Sequence, residues 1–163
     1  KFITYTAGVG YAIPGSVLAL SLISISNSSY SYIIICFLIW GYLVRFLTIS
    51  KGSLDSALER ISPNIDEAAM GLGANWLDII KKIHLPLLKG PIFVGALLVF
   101  VDTIKELPLT FILRPFDFDT LSVRIYQYAA DERIIEAIVP ATFVIILGLI
   151  ASITLIPSLE KKN

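Results

Sequence analysis

Asp102, Lys105 and Glu106 are the only charged residues of "PIFVGALLVFVDTIKELPLTFIL" (91 to 113). Spacings of three and four place them on one face of a helix. Counted from Pro91 at 1.5 Å per residue, Asp102 falls roughly 16 Å along such a helix, near the middle of a bilayer if the stretch crosses one. A charge at that depth costs about 3 kcal/mol even on lenient insertion scales, so its neighbour must be protein or a water-filled cavity rather than lipid. Two chemistries fit. Lys105 can pair with Asp102 or Glu106 to pack a bundle, or a carboxylate can line a solute's route, where hard oxygen ligands suit a hard cation. A second patterned stretch is "DEAAMGLGANWLDIIKKIHLP" (66 to 86), amphipathic and charged with both signs between two very apolar segments.

The elements that must hold these residues follow from composition and hydropathy. Of 163 residues 56% are hydrophobic and 16% charged, and the mean hydropathy is +0.80, an excess too large for one soluble core. Four stretches approach the ~20 residues that cross a bilayer: 9 to 26, 30 to 49, 91 to 113 and 137 to 157. They are expected to be helices, which satisfy their own backbone groups in lipid. Pro14 and Gly15 early in the first and Pro108 late in the third mark places for kinks or unwinding.

Basic residues set the expected orientation. Arg45, Lys51, Arg60, Lys81, Lys82 and Lys89 lie between 45 and 90, and Lys161 and Lys162 in the tail, whereas "ISNSSYS" between the first two spans has none. The central segment, about 50 to 90, is therefore expected in the cytoplasm. The loop from 114 to 136, where Arg114, Arg124 and Arg133 stand amid five acidic residues, goes outside. Zero formal net charge gives no footprint for nucleic acid. The single cysteine, Cys36 in "YIIICFLIW", is expected to be a small buried hydrophobe. Lys1 opens the chain without a cleavable leader pattern, and the chain is expected to be a fragment.

Within the central segment, Asn64 and Glu67 have the spacing of a capping box, with Pro63 barring backward extension. Gly71 and Gly73 break the first helix, and Asn75 with Asp78 starts a second, which Pro86 is expected to stop. Trp76, Ile79, Ile80 and Ile83 recur at helical spacing and are expected to face back toward the spans. Periodicity alone fits an amphipathic helix on a membrane surface equally well.

The fixed pattern is Glu-Ala-Ala, three residues, Gly, nine residues, Ile, one residue, Leu-Pro, met at every position by Glu67, Ala68, Ala69, Gly73, Ile83, Leu85 and Pro86. It resembles the cytoplasmic EAA loop of permease subunits of binding-protein-dependent ABC importers. "GYAIPGSVLAL" (10 to 20) and residues 102 to 141 are further similar to the C-terminal half of the double-length permeases of ferric iron importers. Permeases for thiamine, polyamines and phosphonates look alike at this level. The resemblance implies an all-α, polytopic transmembrane helix bundle, the incomplete core of a type I ABC importer permease in a bacterial inner membrane. One further span before "GYAIPG" and a whole N-terminal half would be missing. It also implies partners: ATPase subunits docking on the loop, an extracytoplasmic substrate-binding protein, and the second permease half. In that family the outer side receives the cargo-loaded binding protein, which directs attention to Asp131, Glu132 and Arg133.

The residues themselves agree with a low-relief docking surface. Adjacent alanines admit close approach, Gly73 lets the backbone reverse, and Glu67 supplies a fixed negative charge that either caps its helix or pairs with a partner. Catalysis is not expected. The phosphate loop G-x-x-x-x-G-K-[ST] is absent, one His and one Cys cannot build a His/Cys metal cluster, and neither Gly-x-Ser-x-Gly nor His-Glu-x-x-His occurs. No cofactor, resident metal or catalytic residue is therefore expected. The rivals are an intramembrane enzyme using Asp102 or Glu106 and a proton-coupled secondary transporter; both leave the full loop pattern unexplained. His84 occupies a variable position of that pattern and is given no role.

Overall fold

The computed structural model describes residue 8 and residues 10–25 and 31–160. Most of "ISNSSYS" and the basic tail residues Lys161 and Lys162 lie outside the described residues. Among those described, the secondary structure is helical: α1 (Gly15–Ile25), α2 (Ser31–Leu58), α3 (Pro63–Gly71), α4 (Trp76–Ile104), α5 (Pro108–Leu113), α6 (Leu121–Ala130) and α7 (Ile134–Glu160). Three stretches, Tyr32–Leu58, Trp76–Ile104 and Ile134–Ile156, are long and apolar enough to cross a membrane. Their outward faces carry exposed apolar side chains such as Leu43, Leu47, Phe93, Ile145, Leu149 and Ile153, as a lipid environment favours and water does not.

Two expected spans are reshaped. The first contains a break at Ile13 and Pro14, after which α1 runs for only 11 residues, about 16 Å at the α-helical rise. The third is not one helix from 91 to 113: α4 ends at Ile104, Lys105 caps it, and α5 begins at Pro108. Proline cannot donate to the preceding turn, so it is tolerated as the first residue of a new helix and not in the interior of an old one. The second span extends beyond 49 to Leu58. This puts Arg45, counted from sequence among the loop cations, at the middle of a helix of 28 residues.

The loop helices also depart from expectation. Ser62, not Asn64, is the N-cap of α3, its hydroxyl accepting from Asn64 N at 3.4 Å. Pro63 is then the first helical residue, where its missing N–H costs nothing. Asn75 does cap α4, accepting from Asp78 N at 2.9 Å. Pro86 does not stop that helix. Ile80–His84 form a π turn in which Leu85 N–H reaches back to Ile80 O, and the helix continues through Pro86 and Pro91 to Ile104. A wide turn relieves the clash between a proline ring and the carbonyl four residues earlier, so the chain bends its hydrogen-bond pattern instead of ending it. Of the four apolar residues expected to face inward, Ile79 is buried and Ile83 half-buried, whereas Trp76 and Ile80 are exposed. Cys36 likewise lies on the exposed face of α2, not in a core.

Packing sorts the helices around α2. Its second half lies antiparallel to α4, where Ser53 Oγ donates to Pro91 O at 3.3 Å. Its first half meets α1 and α5, whose Leu18, Ala19, Leu22, Leu109 and Leu113 close on Leu38 as the main apolar cluster. α7 packs on α4 and α6. Loss of an N-cap costs about 1 kcal/mol, a factor of roughly five in local opening. Ser62→Ala should therefore speed amide exchange at Ile65 and Asp66 about fivefold, with Asn64→Ala leaving it nearly unchanged; equal effects would restore Asn64 as the cap.

Candidate functional site

The loop between α2 and α4 is built to hold one face open. α3 ends in a Schellman turn: Gly73 N–H bonds to Met70 O at 2.9 Å and Ala74 N–H to Ala69 O at 3.0 Å, with Gly73 at φ +84°. An L side chain is strained at that φ, which gives the motif glycine its physical reason. Glu67 and Ala68 are exposed and Ala69 is half-buried. Leu85 and Pro86 are exposed on α4, and Ile83 is half-buried. Around them Met70 and Leu72 are also open, Leu72 at 89%. Charged and apolar side chains thus share an exposed surface on two short helical pieces.

What holds those pieces together was missed by sequence reasoning. His84 Nε2 and Asp66 Oδ1 are 2.9 Å apart, joining α3 to the π turn of α4. The two residues are 18 apart in sequence, and no helical spacing relates them. The lone histidine is a tie, half-buried like its aspartate. On the other side of the π turn, Asp78 pairs with Lys82 at 2.7 Å along one exposed helical face.

The mid-span charges divide into two pairs, one of them the Lys105–Asp102 pair that the spacing offered. Lys105 Nζ lies 2.7 Å from Asp102 Oδ1, with Lys105 exposed. Glu106 is buried, and its carboxylate pairs with Arg45 Nη1 of α2 while accepting from Leu109 N at 3.2 Å. From sequence alone Arg45 counts only as a topology signal. A polar residue inside "WGYLVRFL" was the available clue, since an arginine so placed needs an acidic partner on another span. One turn before it, Tyr42 hydrogen-bonds Thr110. Both pairs border a cavity of about 360 Å³ lined by Tyr11, Ser16, Arg45, Asp102, Lys105 and Glu106 among others. Two cations and two carboxylates leave it formally neutral. Among the described residues no three His, Cys, Asp or Glu side chains converge as a metal site.

The loop following α5 is ordered by its own ion pairs. Asp119 bridges Arg114 and Arg124, the latter at 3.1 Å. α6 closes in a second Schellman turn, Glu132 N–H to Ala129 O at 3.2 Å and Arg133 N–H to Tyr128 O at 2.8 Å. Glu132 takes the left-handed position at φ 59°, which a non-glycine residue adopts at a cost of about 1 kcal/mol. Asp131, Glu132 and Arg133 are all exposed. Arg133 sits over the Tyr128 ring at 5.0 Å and pairs with Glu136 at 3.1 Å.

A family model described as the inner membrane component of binding-protein-dependent transport systems matches residues 1–162. The chain belongs to this family. It is a multi-pass inner-membrane component, helical among the described residues, as the resemblance implied. It is 30% identical over 125 residues to the Fe(3+)-transport system permease protein FbpB 2 of Haemophilus influenzae, a match covering 76% of this chain and 25% of that protein. It is 32% identical over 92 residues to the ferric transport system permease protein FbpB of Actinobacillus pleuropneumoniae, covering 56% of this chain and 13% of that one. The matched part of this chain thus spans a quarter or less of the length of these relatives.

The His84 tie gives a direct test. A hydrogen bond to a charged group contributes about 1.5–3 kcal/mol. His84→Ala should therefore accelerate tryptic cleavage after Arg60 or Lys81 about tenfold in detergent-solubilised protein, with a smaller change for Asp66→Asn, which keeps an acceptor oxygen. Unchanged cleavage in His84→Ala would show that the contact carries no load.

Proposed function

We propose that this chain is part of the membrane permease of an ATP-driven importer of ferric iron, supplied by an extracytoplasmic binding protein and driven by separate ABC ATPase subunits. The observation that carries the reading is the exposed loop surface of Glu67, Ala68, Gly73, Leu85 and Pro86, with half-buried Ala69 beside it, on helical pieces of which the second is the start of the membrane-length helix α4. Load applied at Leu85 and Pro86 enters α4 directly, and load on α3 reaches it through the Gly73 turn and the Asp66–His84 tie. The loop, about 50 to 90, faces the cytoplasm and receives the ATPase; Glu67 offers its charge to a basic residue there. Ile83, half-buried, supports the surface from beneath.

The cargo reading rests on relatives named as ferric transport permeases. Asp102, Lys105 and Glu106 border the route, and its formal neutrality suits passage over retention: a site dense in carboxylates would hold a trivalent ion too firmly to release it. Asp131, Glu132 and Arg133, exposed after α6, form part of the surface that meets the binding protein. A second permease half completes the pathway, and ATP-driven closure moves the cavity between inward-facing and outward-facing states by rigid-body rearrangement.

Two loop variants check the assignment. Glu67→Lys should cut co-purification of the ATPase by roughly tenfold, as loss of an interfacial charge pair does. Asp78→Lys, on the second helix and paired with Lys82, should matter much less. Equal losses would count against Glu67 as the docking charge. Uptake of radiolabelled ferric iron by the assembled complex, compared with labelled thiamine, decides the cargo.

A further inference from the structure

Arg45 lies where α2, the start of α1 and the interruption between α4 and α5 come together. Its guanidinium grips Glu106 at the interruption between α4 and α5. The start of α1 presses on the same pair: a β-carbon on Gly15 would overlap Arg45 Nη1 and Glu106 Oε1. Only glycine permits that approach. Glu106 in turn accepts from Leu109 N at 3.2 Å and so begins α5. Arg45 Nε is buried without a partner among the described residues, so Glu106 is what anchors the guanidinium.

The two halves of the interrupted span belong to different neighbours. α4, before the break, lies along the second half of α2 through Ser53 and Pro91. α5, after it, lies on α1, and is gripped from α2 by Tyr42 through Thr110. Tyr42 and Arg45 are three residues apart and share a helical face. α2 therefore holds both halves, α4 along Ser53 and α5 through Leu38, Gly41 and the Tyr42–Thr110 bond, with Arg45 at the changeover. A backbone left non-helical at membrane depth needs such cover to satisfy its polar groups.

We propose that Arg45 is a positioning residue for transport: through Glu106 it pins the bend between α4 and α5, so that movement of the α4 rod reaches α5 and α1 as a defined tilt. The assignment rests on the importer reading. Without the pin, α4 moves under load from the loop while α5 stays with α1, and hydrolysis no longer drives passage. Lys105 and Asp102, on the open side of the bend, are not required for this grip.

The test uses the full-length permease with its ATPase subunits in proteoliposomes and compares Arg45→Met, Arg45→Lys and the double variant R45M/E106Q. The double variant removes both buried charges yet keeps an oxygen to accept from Leu109 N, so it is expected to insert and assemble. Uptake of ferric iron should fall roughly tenfold or more in R45M and R45M/E106Q while ATP hydrolysis continues, the range of an ordinary coupling energy. Arg45→Lys, which retains the charge, should recover part of the uptake. Spin labels at Leu98 and Phe111 in a cysteine-free background, Cys36→Ser included, should give one narrow distance distribution with the native pair and a broadened one in R45M/E106Q. Native uptake per ATP with an unchanged distribution in the double variant would overturn the assignment and leave the pair as packing. Failure of the unaltered permease to bind its ATPase would strike the importer reading instead; the distance measurement needs no ATPase and still decides Arg45.

Discussion

A charge buried at mid-membrane cannot be stable alone, and the structure is organised around that constraint. Arg45 stands at the middle of α2 and needs an acid from another helix; Glu106 supplies it. Breaking such a pair from one side costs about 3–5 kcal/mol, because the partner is left buried and uncompensated. The interruption at 105–107 follows from the same pairing. Glu106 reaches Arg45 while also accepting from Leu109 N, which a residue inside a continuous helix could not do, since that amide would already be bonded to Lys105 O. Pro108 fits the new start, and Gly15 leaves room beside it. Four residue types scattered over the chain thus answer one electrostatic demand.

Much of this was legible in the sequence, and the rest was hidden for specific reasons. The apolar lengths announced membrane helices, and the fixed loop residues announced the family. Asn75 was correctly read as a cap, because a cap is decided by a few adjacent residues. Ser62 was overlooked in favour of Asn64 because both types cap well and only the backbone angle at Ser62 chooses between them. Pro86 misled because the rule that proline ends a helix assumes α-geometry on both sides, and the π turn evades it. Pairings across helices, Arg45 with Glu106 and Asp66 with His84, leave no periodic trace. Of Asp102, Lys105 and Glu106, the pairing of Lys105 with Asp102 was legible from their spacing, whereas Glu106 lies past the end of α4 and its partner sits 61 residues away.

The two Schellman turns show how one backbone device serves different surfaces. At Gly73 the left-handed position is taken by a residue with no side chain, which leaves the loop surface flat beside Ala68 and Ala69. At Glu132 a charged residue accepts the same angle and projects outward, beside an arginine stacked on Tyr128. Flatness suits a surface that another protein must approach closely. Projection suits a surface read by charge. The chain tolerates the backbone strain at Glu132, where a glycine would have relieved it.

The π turn at Ile80–His84 has a consequence for the angular phase of the whole rod. A turn that holds an extra residue shifts everything upstream by about 100° relative to an uninterrupted α-helix, the angle one residue subtends. Asn75, Trp76 and Asp78 therefore hold an azimuth offset by that angle from the bilayer-embedded portion below. Deleting a single residue from this segment would leave both portions helical yet rotate one against the other, like a key cut correctly but fixed to its shaft at the wrong angle.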